Sequence, residues 1–495
     1  MSRKTLSWST LARALLVAVP MASLSCGGNT ASVTPPPASL SMAFITDAQG
    51  RAVIFHGMNV MSASRQAADR LPPIGAADAA RIAGWGMNFV RYLVFWDAIE
   101  PTAGSYDDGY LAKVRAELDL FQAQGISVLI DVHQDLYAQK FDGDGAPAWA
   151  VQDDGKPFAQ QSTPWQSYAQ PAVVAAFDNY WSYQGAHQTL QDRYVAMLGH
   201  LAAKLGDHPA IVGWDVMNEP YPGSLFDANE LASLQDETEA GPLYGFDQGP
   251  FAAFYARAIA AIRAVDADHW IVVEPRYGAP ANGSRSFLPL LSDPRVGERR
   301  IVEAPHLDSY RVDTTNAYAA DDDTVSRWET RRRQEISRTG DALLLGQFAV
   351  DDAMPGGDQY LQDVLDMADR NAIGWSYWSY DPGTGGAAPW NAQTGKDNPN
   401  VGWLVRPYAR KVAGSPVSMK WDKSTRTFEL VFTDRDGVTG NHEIWVPIAL
   451  YPTGFYIVYT DPPGSTSQSF SDTTSVLTVT TPIAGGQHSI TITPK

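Results

Sequence analysis

The run "WDVMNEP" closes a β-rich apolar stretch on Asn218 and Glu219. A carboxylic acid held at a strand end with a raised pKa can protonate a glycosidic oxygen. An asparagine beside it can hold a sugar 2-hydroxyl, a contact that strengthens at an oxocarbenium-like transition state. "DVHQD" sets His133 and Asp135 two residues apart, on one side of a strand, where they could bind sugar hydroxyls or orient a carboxylate. The pair could also ligate a metal, but no third ligand is evident, and neither metal nor cofactor is expected. "VRYLVFW" buries Arg91, which needs an acidic partner there and, beside the nucleophile position, would hold that group ionised; a structural ion pair is the plainer reading. "APHLDSY" brings His306, Asp308 and Tyr310. "SYWSYD" brings Trp378, either a platform for a sugar ring or a core residue. "LLLGQFAV" carries an amide, Gln347, where two-carboxylate hydrolysis wants its second acid.

These residues need a frame that points them at one place. From about residue 43 the chain alternates short apolar runs with helical patterns, which implies parallel strands joined by helical crossovers. Eight candidate strands are "AVIFHGMN", "MNFVRYLVFW", "GISVLIDVHQ", "AIVGWDVMNEP", "WIVVEP", "RIVEAPHLD", "LLLGQFAV" and "IGWSYWSYD". Eight such units close a (β/α)8 barrel, whose strand C-termini carry the chemistry. Nearly all end in polar or aromatic groups: Asn59, Trp96, His133, Glu219, Glu274, His306, Gln347 and Trp378. A doubly wound open sheet would not explain those endings. The crossover 135–190 is long and rich in Trp, Tyr and Phe, which suits a lid or substrate wall rather than a disordered insertion. After residue 411 the texture changes to alternating strands between Gly, Pro, Asp and Ser turns, an antiparallel β-sandwich over 412–495 without a catalytic constellation.

Composition excludes some functions. With a formal charge of -18 over 495 residues, nucleic acid is not the partner. The N-terminus carries Arg3, Lys4 and Arg13, then "ALLVAVPMASL", then the sole cysteine, Cys26, in "SCGG". That order reads as a secretory signal over 1–26, with Cys26 as a candidate lipidation site and ordinary cleavage nearby as the alternative. Residues 27–42 read as a Pro/Ser tether, and 43–411 as the catalytic domain. A secreted or lipid-anchored monomer at a bacterial envelope is expected. Its apolar lid and its tether are expected to share one membrane-facing surface.

The runs "FHGMNVMSASR", "MNFVRYLVFWDAIEP", "DVHQDLY", "GAPAWA", "QPAVVAAFDNYW", "WDVMNEPYPGSL", "PHLDSY" and "GWSYWSYDPG" resemble glycoside hydrolase family 5, and within it the endoglycoceramidases. The resemblance covers residues 43–410. It implies a retaining hydrolase that cuts between glycan and ceramide of a glycosphingolipid. It also implies Glu219 as acid/base, with Asn218, His133, Asp135 and Trp378 around the glucose at the scissile bond. Arg65 stands where a lysine is common. An endoglucanase-like enzyme of soluble polysaccharide and a surface glycolipid or glycan binder without turnover remain the alternatives.

Two positions depart from the pattern: Asp308 replaces the tyrosine expected beside the nucleophile, and Gln347 occupies the nucleophile's place. Tyr310 could substitute only with a rearranged loop. A retaining mechanism needs two carboxyl groups roughly 5–5.5 Å apart, so Glu219 and Gln347 should face each other across the mouth. The amide could be an engineered trap, the mark of a degenerate hydrolase, or a sign that another acid has taken over. Asp308 is the foremost candidate, with Asp351, Asp352 and Glu303 behind it. Two coincident departures favour natural divergence.

Overall fold

The computed structural model describes residues 41–495 except 163, 227–240, 279, 352, 382–386 and 483–484. Cys26, the signal and all but the last two tether residues therefore lie outside the described residues, as does Asp352. Eight parallel strands close a barrel in sequence order: β1 (His56–Val60), β2 (Phe89–Phe95), β3 (Ser127–His133), β4 (Ile211–Asp215), β5 (Trp270–Val273), β6 (Ile301–Glu303), β7 (Ala342–Phe348) and β8 (Gly374–Tyr377), with β8 pairing back onto β1. The crossovers pack as the sequence pattern requires. The helix Asp108–Gln122 starts where Asp107 caps the Tyr110 N–H, and it buries Tyr110, Leu111, Val114, Leu118 and Phe121 along one stripe.

Inside the barrel the side chains form two layers. Toward the strand N-termini lie Phe55, Phe89, Leu129, Trp270, Val272, Val302 and Leu344, each contributing roughly 1.5–3 kcal/mol by burial. Above them the filling turns polar, with Asn59, Arg91, Asp131, Asp215 and Glu274 all buried. Met42–Ile45 pack beneath the apolar layer against Ala342–Leu344, and Ala43 N–H bonds Gly340 O. The chain thus enters at the closed end of the barrel. The expected shared surface of lid and tether rests on residues up to 40, which lie outside the described residues.

The first candidate strand divides in two. Ala52–Val53 joins a sandwich sheet by pairing with Tyr408–Val412, and only His56–Val60 enters the barrel. That sheet continues through His442–Trp445, Val476–Thr480 and Ser467–Ser471. The second sheet orders Ser415–Asp422, Thr427–Thr433, Gln487–Pro494 and Phe455–Tyr459. Between them lie Met419, Phe428, Leu430, Phe432, Ile444, Leu477, Ile490 and Ile492. The β-sandwich thus begins at Tyr408 and borrows two residues from the N-terminal end. Gly86 fixes its seat on the barrel: its φ is +83°, and a Cβ there would come within 2.4 Å of the Trp445 ring.

Candidate active site

A cleft of about 620 Å³ opens at the strand C-termini, lined by Arg65, His133, Asp135, Asn218, Glu219, Asp308, Gln347 and Trp378, with Tyr168 and Tyr277 among its walls. The lid supplies Leu136, Asp142, Gln160, Gln161, Ser162 and Ser167. Eight residues singled out from sequence are therefore brought together.

Gln347 reaches the cleft because β7 is irregular. Leu345 pairs with Trp375 and Phe348 with Tyr377, so three steps on β7 match two on β8. If every residue of β7 were paired in plain alternation, Gln347 would share the outward face of Leu343 and Leu345. The bulge turns it inward and returns Phe348 to the outer core, against Trp375 and Tyr377. The amide Oε1 is buried without a hydrogen-bond partner, while the backbone carbonyl accepts from Leu307 N–H.

Glu219 is held far more tightly. Its backbone sits in the left-handed region at φ +44°. Its N–H donates to Glu274 Oε2 at 2.9 Å, and its carbonyl accepts from Gln134 Nε2 at 3.0 Å. Its Oε1 lies 2.8 Å from His306 Nδ1. His306 Nε2 is 3.2 Å from Glu274 Oε1, a charge contact whose ring N–H is not aimed along the line of centres. Burial alone would lower the His306 pKa, but the Glu274 carboxylate and the bonds to Glu219 and Glu274 outweigh it and raise it to about 10. The imidazolium therefore persists at neutral pH.

Arg91 lies beneath. It reaches Asp131 at 2.9 Å, Asp215 at 2.8 Å and Glu274 at 2.7 Å, and donates to Asn59 Oδ1 and Asn218 Oδ1. The expectation that it serves the acid at the nucleophile position is corrected: its donors go to these five groups and not to Gln347. Burial, against the pull of Arg91, raises the Asp215 pKa well above the usual range. Arg91 also fixes Asn218, whose Nδ2 donates to Gln134 O.

His133 Nδ1 bonds Asp131 at 2.7 Å, and its ring stacks on Trp378 with centroids 5.5 Å apart. Burial opposes protonation of His133, but Asp131 and Asp135 prevail and lift its pKa to about 9. Arg65 bridges Asp135 at 2.5 Å and Asp144 at 2.7 Å, tying the first barrel loop to the lid. Burial resists ionisation of Asp135, but Arg65 and His133 hold its pKa down at about 2. Asp144 is the third ligand that sequence did not reveal: His133, Asp135 and Asp144 could offer atoms within 4.8 Å of one another. The Arg65 guanidinium already neutralises both carboxylates, so the cluster has its cation built in.

The remaining candidates fall elsewhere. Tyr310 opens the helix Tyr310–Thr315, and its side chain is outside the described residues. Asp351 caps Ala353 N–H in the turn after β7 and does not line the cleft. Glu303 points outward from β6 and accepts from Thr339 Oγ1, so it cannot replace a nucleophile. Trp96 packs against Trp149 and Tyr194 behind the barrel rather than in the mouth. Sequence missed Glu274 as a site residue although it ends a strand; its partners come from β2, β4 and the loop after β6, which no local pattern shows.

A profile of Cellulase (glycosyl hydrolase family 5) matches residues 46–384, and one of the glycoside hydrolase family 5 C-terminal domain matches 406–492. Endoglycoceramidase I of Rhodococcus hoagii is 27% identical over 424 residues, 83% of this chain and 80% of the relative. Endo-glycoceramidase II from Rhodococcus sp. superposes with a TM-score of 0.81 at 33% identity, covering 92% of this chain and 100% of that one; its ganglioside GM3 complex gives 0.83 at 31% over the same shares. A glucosylceramidase of Cryptococcus neoformans is 26% identical over 41% of this chain and 36% of its own length. With the barrel, the cleft and both domain matches in agreement, the chain belongs to glycoside hydrolase family 5, as an endoglycoceramidase-like glycosidase.

Proposed function

We propose that this cleft takes the glycan of a glycosphingolipid, with Glu219 as the proton donor and Gln347 standing where a retaining hydrolase holds its attacking carboxylate. The observation that carries the reading is that Glu219 and Gln347 line one cleft beside Trp378, while the amide Oε1 is left unpaired. A neutral amide oxygen attacks the anomeric carbon poorly and lends no full negative charge to an oxocarbenium ion. Glycan is therefore bound and hydrolysed slowly, by ~10³-fold or more below a carboxylate enzyme. The endoglycoceramidases that span most of this chain support the substrate class. Asp308, in the same cleft, supports a second reading in which it attacks instead. The anchor reading of Cys26 places the protein at a cell envelope.

The test is incubation of purified protein with ganglioside GM3, measuring glycan binding by calorimetry and released glycan by chromatography. Binding with slow release, restored by Gln347→Glu and indifferent to Asp308→Asn, supports the proposal. Ordinary turnover abolished by Asp308→Asn moves the nucleophile to Asp308.

A further inference from the structure

We propose that Glu274, a buried carboxylate at the end of β5 that does not line the cleft, is the positioning residue for Glu219. The inference rests on the reading of Glu219 as proton donor and goes beyond it by assigning what sets that donor's geometry. One carboxylate grips Glu219 twice. Glu274 Oε2 accepts the Glu219 backbone N–H at 2.9 Å, holding a residue whose φ of +44° is uncommon for a side chain of this size. Glu274 Oε1 faces His306 Nε2 at 3.2 Å, and His306 Nδ1 holds Glu219 Oε1 at 2.8 Å. With Oε1 engaged, Oε2 is the edge left for proton delivery. Glu274 is itself fixed: Arg91 reaches its Oε1 at 2.7 Å, and the Tyr255 hydroxyl donates to its carbonyl and accepts from its N–H.

The charges around this relay are accounted for. His306 meets Glu219 from β4 and Glu274 from β5, while the Trp328 indole bonds only its carbonyl. Glu274 meets Arg91 from β2, with Asp131 and Asp215 sharing that guanidinium. Removing the Glu274 charge therefore leaves His306 with one acidic partner instead of two. It also leaves the Glu219 N–H with a neutral amide as its acceptor instead of a carboxylate.

Two readouts separate positioning from mere packing. In ¹⁵N-histidine NMR, with His306 assigned by His306→Gln, the wild-type imidazole stays protonated through pH 8. Glu274→Gln, which preserves shape, moves its midpoint down by more than one pH unit. In the Gln347→Glu background, Glu274→Gln lowers kcat at least about tenfold with KM within threefold. That loss shrinks for a glycosyl fluoride, whose departure needs little proton transfer. An unmoved His306 midpoint, or equal losses for both leaving groups, overturns the assignment. Should Glu274→Gln fail to fold, Tyr255→Phe loosens the backbone that carries this carboxylate and gives a smaller shift of the same sign, and no shift there counts against it. Failure of Gln347→Glu to restore turnover rejects the nucleophile reading alone, since the titration does not depend on it.

Discussion

The two sides of the cleft are built to different standards. On the Glu219 side, backbone N–H, backbone carbonyl and carboxylate each have a named partner in Glu274, Gln134 and His306, and Glu274 is held in turn by Arg91 and Tyr255. On the Gln347 side, a bulge aims one amide whose oxygen has no partner. On the cleft wall that oxygen is free of partners among the described residues and can accept from a bound group. The contrast teaches that proton delivery is over-determined here, while attack is left to one substitutable side chain.

The largest expected effect comes from closing that contrast. Gln347→Glu should raise glycan release from GM3 by ~10³-fold or more; a rise under tenfold would sink the idea that the amide is what limits turnover. The next effect breaks the pinned side from below. Arg91→Met leaves Asp131 and Glu274 buried without their guanidinium and should destabilise the fold by about 3–5 kcal/mol in urea titrations. A loss below about 1 kcal/mol would mean that water or a neighbour replaces it.

Trp378→Ala tests whether binding survives independently of chemistry. It should weaken glycan affinity about tenfold by calorimetry while leaving the melting temperature within a few degrees; unchanged affinity would return Trp378 to the core. The smallest effect is one of pH. The His306 pKa is raised to about 10, so its charge contributes stability that is whole below its unfolded value of about 6.5 and fades as pH climbs through about 10. The wild-type melting temperature should decline between pH 7 and 10, and His306→Gln should flatten that slope. A slope the variant leaves unchanged would assign the alkaline loss to other groups.

Much of this could be read from the chain. Barrel closure was legible because strand-length apolar runs kept ending in polar residues, and Glu219, His133, Asp135 and Trp378 sit where those endings point. What no local pattern could carry shares a cause. Whether Gln347 faces in or out depends on one extra residue paired against β8, and a period-two pattern cannot register it. The split at Ile54 depends on Tyr408–Val412, more than 350 residues away, offering an edge to Ala52–Val53. Asp144 becomes a site residue only when the lid folds back onto Arg65. Arg91 was foreseen as a buried cation needing acids, but the choice among acids was made by three strands at once.

The bulge at Gly346–Gln347 has an evolutionary reading. Phe348 carries the packing and Gln347 carries the chemistry, so scaffold and reactivity occupy adjacent letters with separate duties. A change at 347 alters charge in the cleft without disturbing a core contact, and the fold tolerates it silently. Pairing every residue of β7 in plain alternation would instead swing Phe348 into the mouth and hide the amide behind the sheet. A lineage can therefore lose or regain the attacking acid in one step, while a slip of β7 into plain alternation would cost it the site and the core together.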